Sequence, residues 1–145
     1  MILLGGVSIS EIMEKRILAD VNMLEEMRIF ISAELEKYGH SEKKKKRVVL
    51  SIDELFTNVA LYGYKDSTGY ILFRVWHEDG VTSIDMIDNA VAFNPLKHND
   101  PDITMGASDR EVGGLGIFIA KKWIDELDYE FANNQNILHM KVNLS

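Results

Sequence analysis

The sequence predicts an α+β fold, a two-layer α/β sandwich in which helices cover one face of a mixed, mostly antiparallel sheet. Segments with helical and strand-like patterns follow one another in the order strand, two helices, hairpin, long loop, helix, hairpin. Two pairs of strand-like runs are each joined by a short turn rich in Asp, Asn or Gly, which is typical of antiparallel hairpins. With 145 residues and 46% hydrophobic content, the chain can form one domain with a substantial core.

The first half of the chain contains a strand and two helices. Residues 14–20 have the pattern of an edge strand, and residues 23–38 carry apolar side chains at helical spacing. Gly39 ends this first helix. Ser41 is an N-cap residue for a second helix, which we expect to continue to about Tyr62.

The second half contains two hairpins and a third helix. The predicted segments are the strands 70–78 and 81–88 on either side of Asp79-Gly80, a helix at 113–127 opened by a glycine-rich turn, and the strands 128–131 and 137–144 around a turn at 133–136. Residues 94–111 hold both prolines and have no sustained period. We therefore expect a long loop there, and loops of this length in compact domains commonly have a function.

The composition excludes several classes of protein. A net charge of −7 opposes binding to the phosphate backbone of nucleic acids. The absence of cysteine excludes disulfides and thiolate sites and is consistent with the cytoplasm, and no apolar run is long enough to span a membrane. One local exception to the acidic character is the basic run 43–47, which is either a solvated helix turn or a docking patch for an acidic protein partner.

The first motif that can carry chemistry is SIDELFTNVALYGY, residues 51–64, on the second helix. Glu54, Asn58 and Tyr62 recur there every four residues and so share one helix face. Mg²⁺ prefers oxygen ligands and takes few of them from the protein when phosphates supply the rest. Asn58 could therefore coordinate Mg²⁺ while Glu54 orients or deprotonates an attacking hydroxyl. Alone the motif is weak, because a Glu and an Asn on a polar helix face can simply be solvated.

The second motif is DNAVAFNP, residues 88–95, at the end of a predicted strand. The Asp88 carboxylate could accept a hydrogen bond from the 6-amino group of adenine. That contact would select adenine over guanine, which has an oxygen at the same position. The alternative is a turn made by Asp-Asn without any ligand.

The third motif is GGLG, residues 113–116, in front of an amphipathic helix. Closely spaced glycines let backbone N–H groups approach an anion, and a helix N-terminus favours negative charge. The motif could therefore hold phosphates, although it is neither the dinucleotide fingerprint nor the P-loop. The alternative is a glycine-rich turn needed only for tight packing.

In this order, the three motifs together resemble those of the histidine-kinase-like ATPase superfamily, which includes gyrase-type ATPases and sensor-kinase catalytic domains. The closest resemblance is to the anti-sigma-factor serine kinases of bacterial stress and sporulation switches. ELFTNVALYGY resembles their N-box, and GGLGIFIAKKWIDELDYE resembles their second glycine box with the helix that follows. The resemblance covers residues 13–145 as one ATPase domain and leaves 1–12 as an N-terminal extension.

This resemblance implies an ATP-Mg²⁺ site with residues 96–112 as a lid over the triphosphate. It implies Glu54 as the catalytic base, Asn58 as the Mg²⁺ ligand and Asp88 as the adenine contact. Further nucleotide contacts are implied at Ala90, Phe93, Arg110, Gly113, Gly114, Leu115 and Gly116.

The resemblance also implies a reaction and its partners. The γ-phosphoryl group of ATP would be transferred to a serine or threonine of an anti-anti-sigma protein with a STAS domain. The same chain would hold a sigma factor inactive by binding it, as a homodimer.

The first glycine box departs from the family pattern, which is Asp-x-Gly followed by Phe-Asp-Pro. Ala90 stands in place of the glycine and Asn94 in place of the aspartate. If Ala90 had a positive φ, its methyl group would cost on the order of 1 kcal/mol. The departure favours an alternative to the kinase, a non-catalytic module that sequesters a protein partner. The MILLGGV start leaves a third interpretation, a catalytic domain cut from a larger signalling protein.

Overall fold

The computed structural model describes residues 2–4, 7–64, 67–97 and 114–144, and it confirms the α+β class. The described strands are β1 (Ile2–Leu4), β2 (Val7–Ile9), β3 (Met13–Leu18), β4 (Tyr70–Glu78), β5 (Val81–Asp88), β6 (Glu126–Ala132) and β7 (Gln135–Asn143). The described α-helices are α1 (Leu24–Lys37), α2 (Glu42–Asn58) and α3 (Gly114–Trp123). None of them is long and apolar enough to cross a membrane.

The seven strands form one sheet in the order β1-β2-β4-β5-β7-β6. Strand β3 pairs with β4 along the same edge as β2, and every described pairing is antiparallel. Both predicted hairpins are confirmed. The β4–β5 turn has φ angles of 48° at Asp79 and 78° at Gly80, the left-handed values that suit a tight two-residue hairpin turn.

The closing hairpin differs from the sequence prediction in its turn and its register. The turn is Asn133-Asn134 alone, with φ angles of 53° and 62°, and not the four residues 133–136. Strand β7 therefore begins at Gln135, which places Asn136 inside the sheet. An Asn-Asn pair tolerates two consecutive left-handed residues, so the shorter turn is the less strained solution.

The third helix is shorter than predicted. It ends at Trp123 and not at Leu127, because Glu126 already begins β6. In β6, apolar and charged side chains alternate. This alternation favours a strand, so the helix does not continue into these residues. The strand predicted to open the chain is β3, but it follows β1 and β2, and Ile9 of β2 pairs with Glu78 of β4.

The second helix confirms its predicted start and changes character near its end. The Ser41 side chain accepts a hydrogen bond from the Lys44 backbone N–H at 3.1 Å, as an N-cap does. After Asn58, residues Val59–Gly63 form a π-helical turn where a regular helix was expected. Wider turns of this kind are frequent at functional sites.

The core lies between the helices and one face of the sheet. Alternating positions of β4, β5 and β7 supply its sheet side, and the inward stripes of all three α-helices supply the other. Its largest fully buried side chains include Phe56 of α2 and Phe73 of β4, whose rings stack with centroids 6.4 Å apart. This packing fixes α2 over β4 and β5, and so places the end of α2 beside the end of β5.

Candidate functional site

A cavity of about 340 Å³ opens between the end of α2, the end of β5 and the β6–β7 hairpin. Most of its lining is apolar, including Leu55, Val59, Met86, Phe93, Pro95 and Leu138. The described side chains that add polar groups are Asn58, Tyr62, Asp88, Tyr129 and Asn136. An apolar cavity with a few convergent polar groups is typical of sites that bind small molecules or cofactors.

Asp88 is the buried charged group of this cavity, with 7% of its surface exposed. Its Oδ1 accepts hydrogen bonds from Asn136 Nδ2 at 2.9 Å and from the Ala90 backbone N–H at 3.0 Å. Burial raises the pKa of Asp88, and these two hydrogen bonds oppose the increase. Its Oδ2 accepts no hydrogen bond from another described residue, and Asp88 lines the cavity.

Asn136 holds the loop that follows β5, and sequence reasoning missed it. Besides its bond to Asp88, Nδ2 donates to the backbone carbonyl of Val91 at 3.1 Å. Its Oδ1 accepts from the Phe93 backbone N–H at 3.0 Å and from the Tyr129 hydroxyl. The Asn133-Asn134 pair is the feature of the sequence that could have identified Asn136 as a site residue. A two-residue turn there places Asn136 in the strand, opposite the end of β5.

Tyr64 ties down the same loop from the other side. Its hydroxyl accepts from the Asn89 backbone N–H at 2.9 Å and donates to the Tyr70 backbone carbonyl at 2.7 Å. Burial raises the pKa of the Tyr64 hydroxyl, so it remains a neutral donor at ordinary pH. The loop after Asp88 is thus held by one side chain from the π-helical end and one from β7.

Ala90 is accommodated without backbone strain. Its φ is not positive, so the cost considered from the sequence does not arise. A Cβ placed on Gly63 would lie 3.0 Å from the Ala90 Cβ and 3.3 Å from Val59 Cγ1. The glycine at 63 therefore provides the space that the Ala90 methyl group occupies.

We expect Gly63→Ala to lower the free energy of unfolding by about 1 kcal/mol, because the new methyl group crowds Ala90. Adding Ala90→Gly should remove part of that loss, which urea unfolding of the single and double variants would measure. Ala132→Gly, at the end of β6, is the control and should not restore the stability lost in Gly63→Ala. If the stability changes of Gly63→Ala and Ala90→Gly are strictly additive, the two side chains do not contact each other.

Glu54 lies outside the lining of the cavity and close to the start of α3. It is exposed, one helical turn before Asn58 on α2. A Cβ placed on Gly116 would lie 2.9 Å from Glu54 Oε2 and closer still to the Glu54 Cβ. The glycine thus allows α3 to pack directly against the helix turn that carries Glu54.

The predicted site residues fall into three groups in the structure. Asn58, Asp88, Ala90 and Phe93 line one cavity, whereas Glu54 and Gly116 contact each other beside it. Gly114 and Leu115 are in the first turn of α3. Arg110, Gly113 and residues 98–112 of the predicted lid lie outside the described residues.

The free side-chain oxygen at Asn58 fits a magnesium ion. Asn58 lines the cavity, and its amide makes no hydrogen bond to another described residue. A neutral oxygen ligand from one side chain matches how Mg²⁺ binds when a nucleotide and water complete its shell.

A family model described as histidine kinase-like ATPase domain matches residues 17–142. The match runs from the end of β3 to the end of β7 and includes the three α-helices and each predicted site residue. No curated protein shows significant similarity to the chain.

Proposed function

The chain belongs to the family of histidine kinase-like ATPase domains, and on that premise we propose that it is an ATP-Mg²⁺-dependent protein serine/threonine kinase. One observation carries the proposal. Asn58 of α2 and Asp88 of β5 line one cavity, and Gly116 of α3 packs on Glu54 one turn away from Asn58. Residues distant in sequence thus converge where a nucleotide, its metal and an acceptor hydroxyl have to meet.

The adenine would lie in the apolar cavity with its amino group on Asp88. The free Oδ2 of Asp88 can accept that hydrogen bond, and the bonds to Oδ1 fix the orientation of the carboxylate. Guanine would place its O6 against the same carboxylate, and two acceptors would then face each other. The site therefore favours ATP over GTP.

The triphosphate would extend from the cavity toward the start of α3. Backbone N–H groups at a helix N-terminus favour an anion, and α3 begins at Gly114 of the glycine-rich motif. Asn58 would hold Mg²⁺, which when bound neutralises phosphate charge. Neither contact needs a side chain to change its hydrogen-bond partners among the described residues.

Glu54 would act as the base in the transfer step. The acceptor hydroxyl oxygen attacks the γ-phosphorus, and the bond from that phosphorus to the β,γ-bridging oxygen breaks. The Glu54 carboxylate takes the proton of the hydroxyl, and ADP leaves with the electron pair of the broken bond. Its exposed position lets a protein hydroxyl reach it from outside.

The partners in this proposal are an anti-anti-sigma protein with a STAS domain as the acceptor and a sigma factor that the chain sequesters. The protein would act as a cytoplasmic homodimer. The support is the resemblance of the N-box and the second glycine box to those of anti-sigma-factor serine kinases.

We expect ATP-Mg²⁺ to raise the melting temperature and GTP-Mg²⁺ to raise it less. At about 100 times the Kd a ligand stabilises the folded chain by roughly 2.7 kcal/mol, which amounts to several degrees. Differential scanning fluorimetry at millimolar nucleotide measures both shifts, with ATP in excess EDTA as the control. No shift with either nucleotide would contradict the proposal and favour a non-catalytic binding module.

A further inference from the structure

The basic run 43–47 divides into two kinds of lysine in the folded chain. Lys44 Nζ pairs with Asp125 Oδ2 at 2.7 Å, and Lys45 pairs with Glu36 and Glu42. These two lysines neutralise carboxylates of α1, of α2 and of the turn between α3 and β6. Their charges are therefore not available to a partner.

The other members of the run face solvent. Lys43 and Lys46 are exposed and form no ion pair with any residue in the described part of the chain. The exposed Arg47 guanidinium lies over the Trp123 ring, 5.6 Å from its centroid.

Helical spacing aligns these cations with the proposed catalytic base. Steps of three or four residues lead from Lys43 to the adjacent pair Lys46 and Arg47, then to Leu50 and Glu54, so these residues lie along one side of α2. All five are exposed, whereas the buried residues of α2 lie on the opposite side. We name the first four of these residues the α2 stripe.

Helix stability does not account for Lys43 or for the exposure of Leu50. Lys43 is in the first turn of α2, where the helix dipole disfavours a cation. Leu50 exposes 51% of its surface between Arg47 and Glu54, although that position is on the solvent side. The stripe thus combines three exposed cations with one exposed apolar side chain, which is the set of contacts that an acidic surface with an apolar side chain would complement.

We propose that the α2 stripe docks the protein whose hydroxyl is phosphorylated, and that this partner presents an acidic surface with an apolar side chain for Leu50. This inference rests on the proposed kinase function and adds the site of substrate recognition. A chain of net charge −7 repels an acidic partner over most of its surface. The position of its exposed cations therefore determines where such a partner can bind.

A partner docked on the α2 stripe would lie close to Glu54, the proposed catalytic base. Glu54 lies at the end of the stripe, about 16 Å along the helix axis from Lys43. A partner lying on the stripe would therefore bring its hydroxyl to the base. The net charge of −7 favours a protein over a nucleic acid as the occupant.

The test uses the STAS-domain proteins of the source organism, purified singly, with the full chain. Lys43→Gln/Lys46→Gln is compared with Lys141→Glu, which changes the net charge by the same −2 on the sheet face. Calorimetry measures partner binding, a labelled-ATP assay measures transfer, and fluorimetry measures ATP binding.

We expect the double variant to raise Kd and KM for the partner roughly tenfold, with kcat and ATP binding unchanged. The control should change Kd and KM by less than about twofold.

The outcomes separate the two proposals. If the partner binds wild type and the double variant equally, docking on the stripe is wrong even when transfer occurs. If the partner binds through the stripe but no phosphoryl group is transferred, the kinase function is wrong and the docking surface is supported. The docking inference is wrong if the wild-type chain binds none of these proteins. It is also wrong if the chain instead binds a DNA duplex through the α2 stripe.

Discussion

Glu54→Ala is expected to reduce phosphoryl transfer by roughly 10²- to 10⁴-fold while ATP-Mg²⁺ binding stays intact. The carboxylate lies outside the lining of the cavity, so its removal takes away the proton acceptor and leaves the nucleotide contacts in place. A single-turnover assay with labelled ATP and the partner protein measures the loss, and the ATP-induced rise in melting temperature measures binding.

Glu25→Ala is a matched control for this variant, because Glu25 is an exposed carboxylate on α1. It should transfer phosphate at the wild-type rate. Full activity in Glu54→Ala would remove Glu54 as the base. Equal loss of ATP binding and transfer would also contradict the account, because it would place Glu54 among the nucleotide contacts.

Asn136→Asp is expected to lower the free energy of unfolding by about 3 kcal/mol near neutral pH and to abolish ATP binding. The substitution keeps the shape of the side chain but replaces the Nδ2 donor with an acceptor. A second buried carboxylate then faces Asp88 Oδ1, which Nδ2 contacts at 2.9 Å in the wild type. The Val91 carbonyl also loses its donor.

The loss of stability in Asn136→Asp should increase as the pH rises. Burial already raises the pKa of Asp88, and a neighbouring carboxylate raises it further. In the unfolded chain both groups titrate near the usual value of about 3.9. The folded variant therefore binds more protons than the unfolded chain above that pH, so its stability falls as pH rises through the raised pKa.

Urea unfolding at about pH 5 and pH 8 tests this direction. The loss relative to wild type should be larger at pH 8. Asn134→Asp, an exposed change in the adjacent turn, is the control and should change stability by less than about 0.5 kcal/mol. A pH-independent loss in Asn136→Asp would mean that the two carboxylates do not interact.

The fold could be predicted from the sequence because its elements depend on local patterns. Strands β4 and β5 and the turn at Asp79-Gly80 follow from alternation and turn chemistry, and the structure has them at the predicted bounds. The start of α2 follows from Ser41 in the same way. In each case the residues that decide the structure are within a few positions of each other.

The supports of the candidate site could not be predicted because they depend on long-range contacts. Asn136 bonds to Asp88 from 48 positions away, which follows from the register between β5 and β7. The compatibility of Ala90 with Gly63 depends in the same way on how the π-helical turn meets the loop after β5. No local pattern in either segment contains that information.

The most direct test of the central claim is a crystal structure of the chain with Mg²⁺ and a non-hydrolysable ATP analogue. We expect the adenine amino group on Asp88, the metal on Asn58 and the phosphates at the start of α3 beside Glu54. An analogue bound elsewhere, or an adenine excluded from the cavity by the Ala90 methyl group, would contradict it.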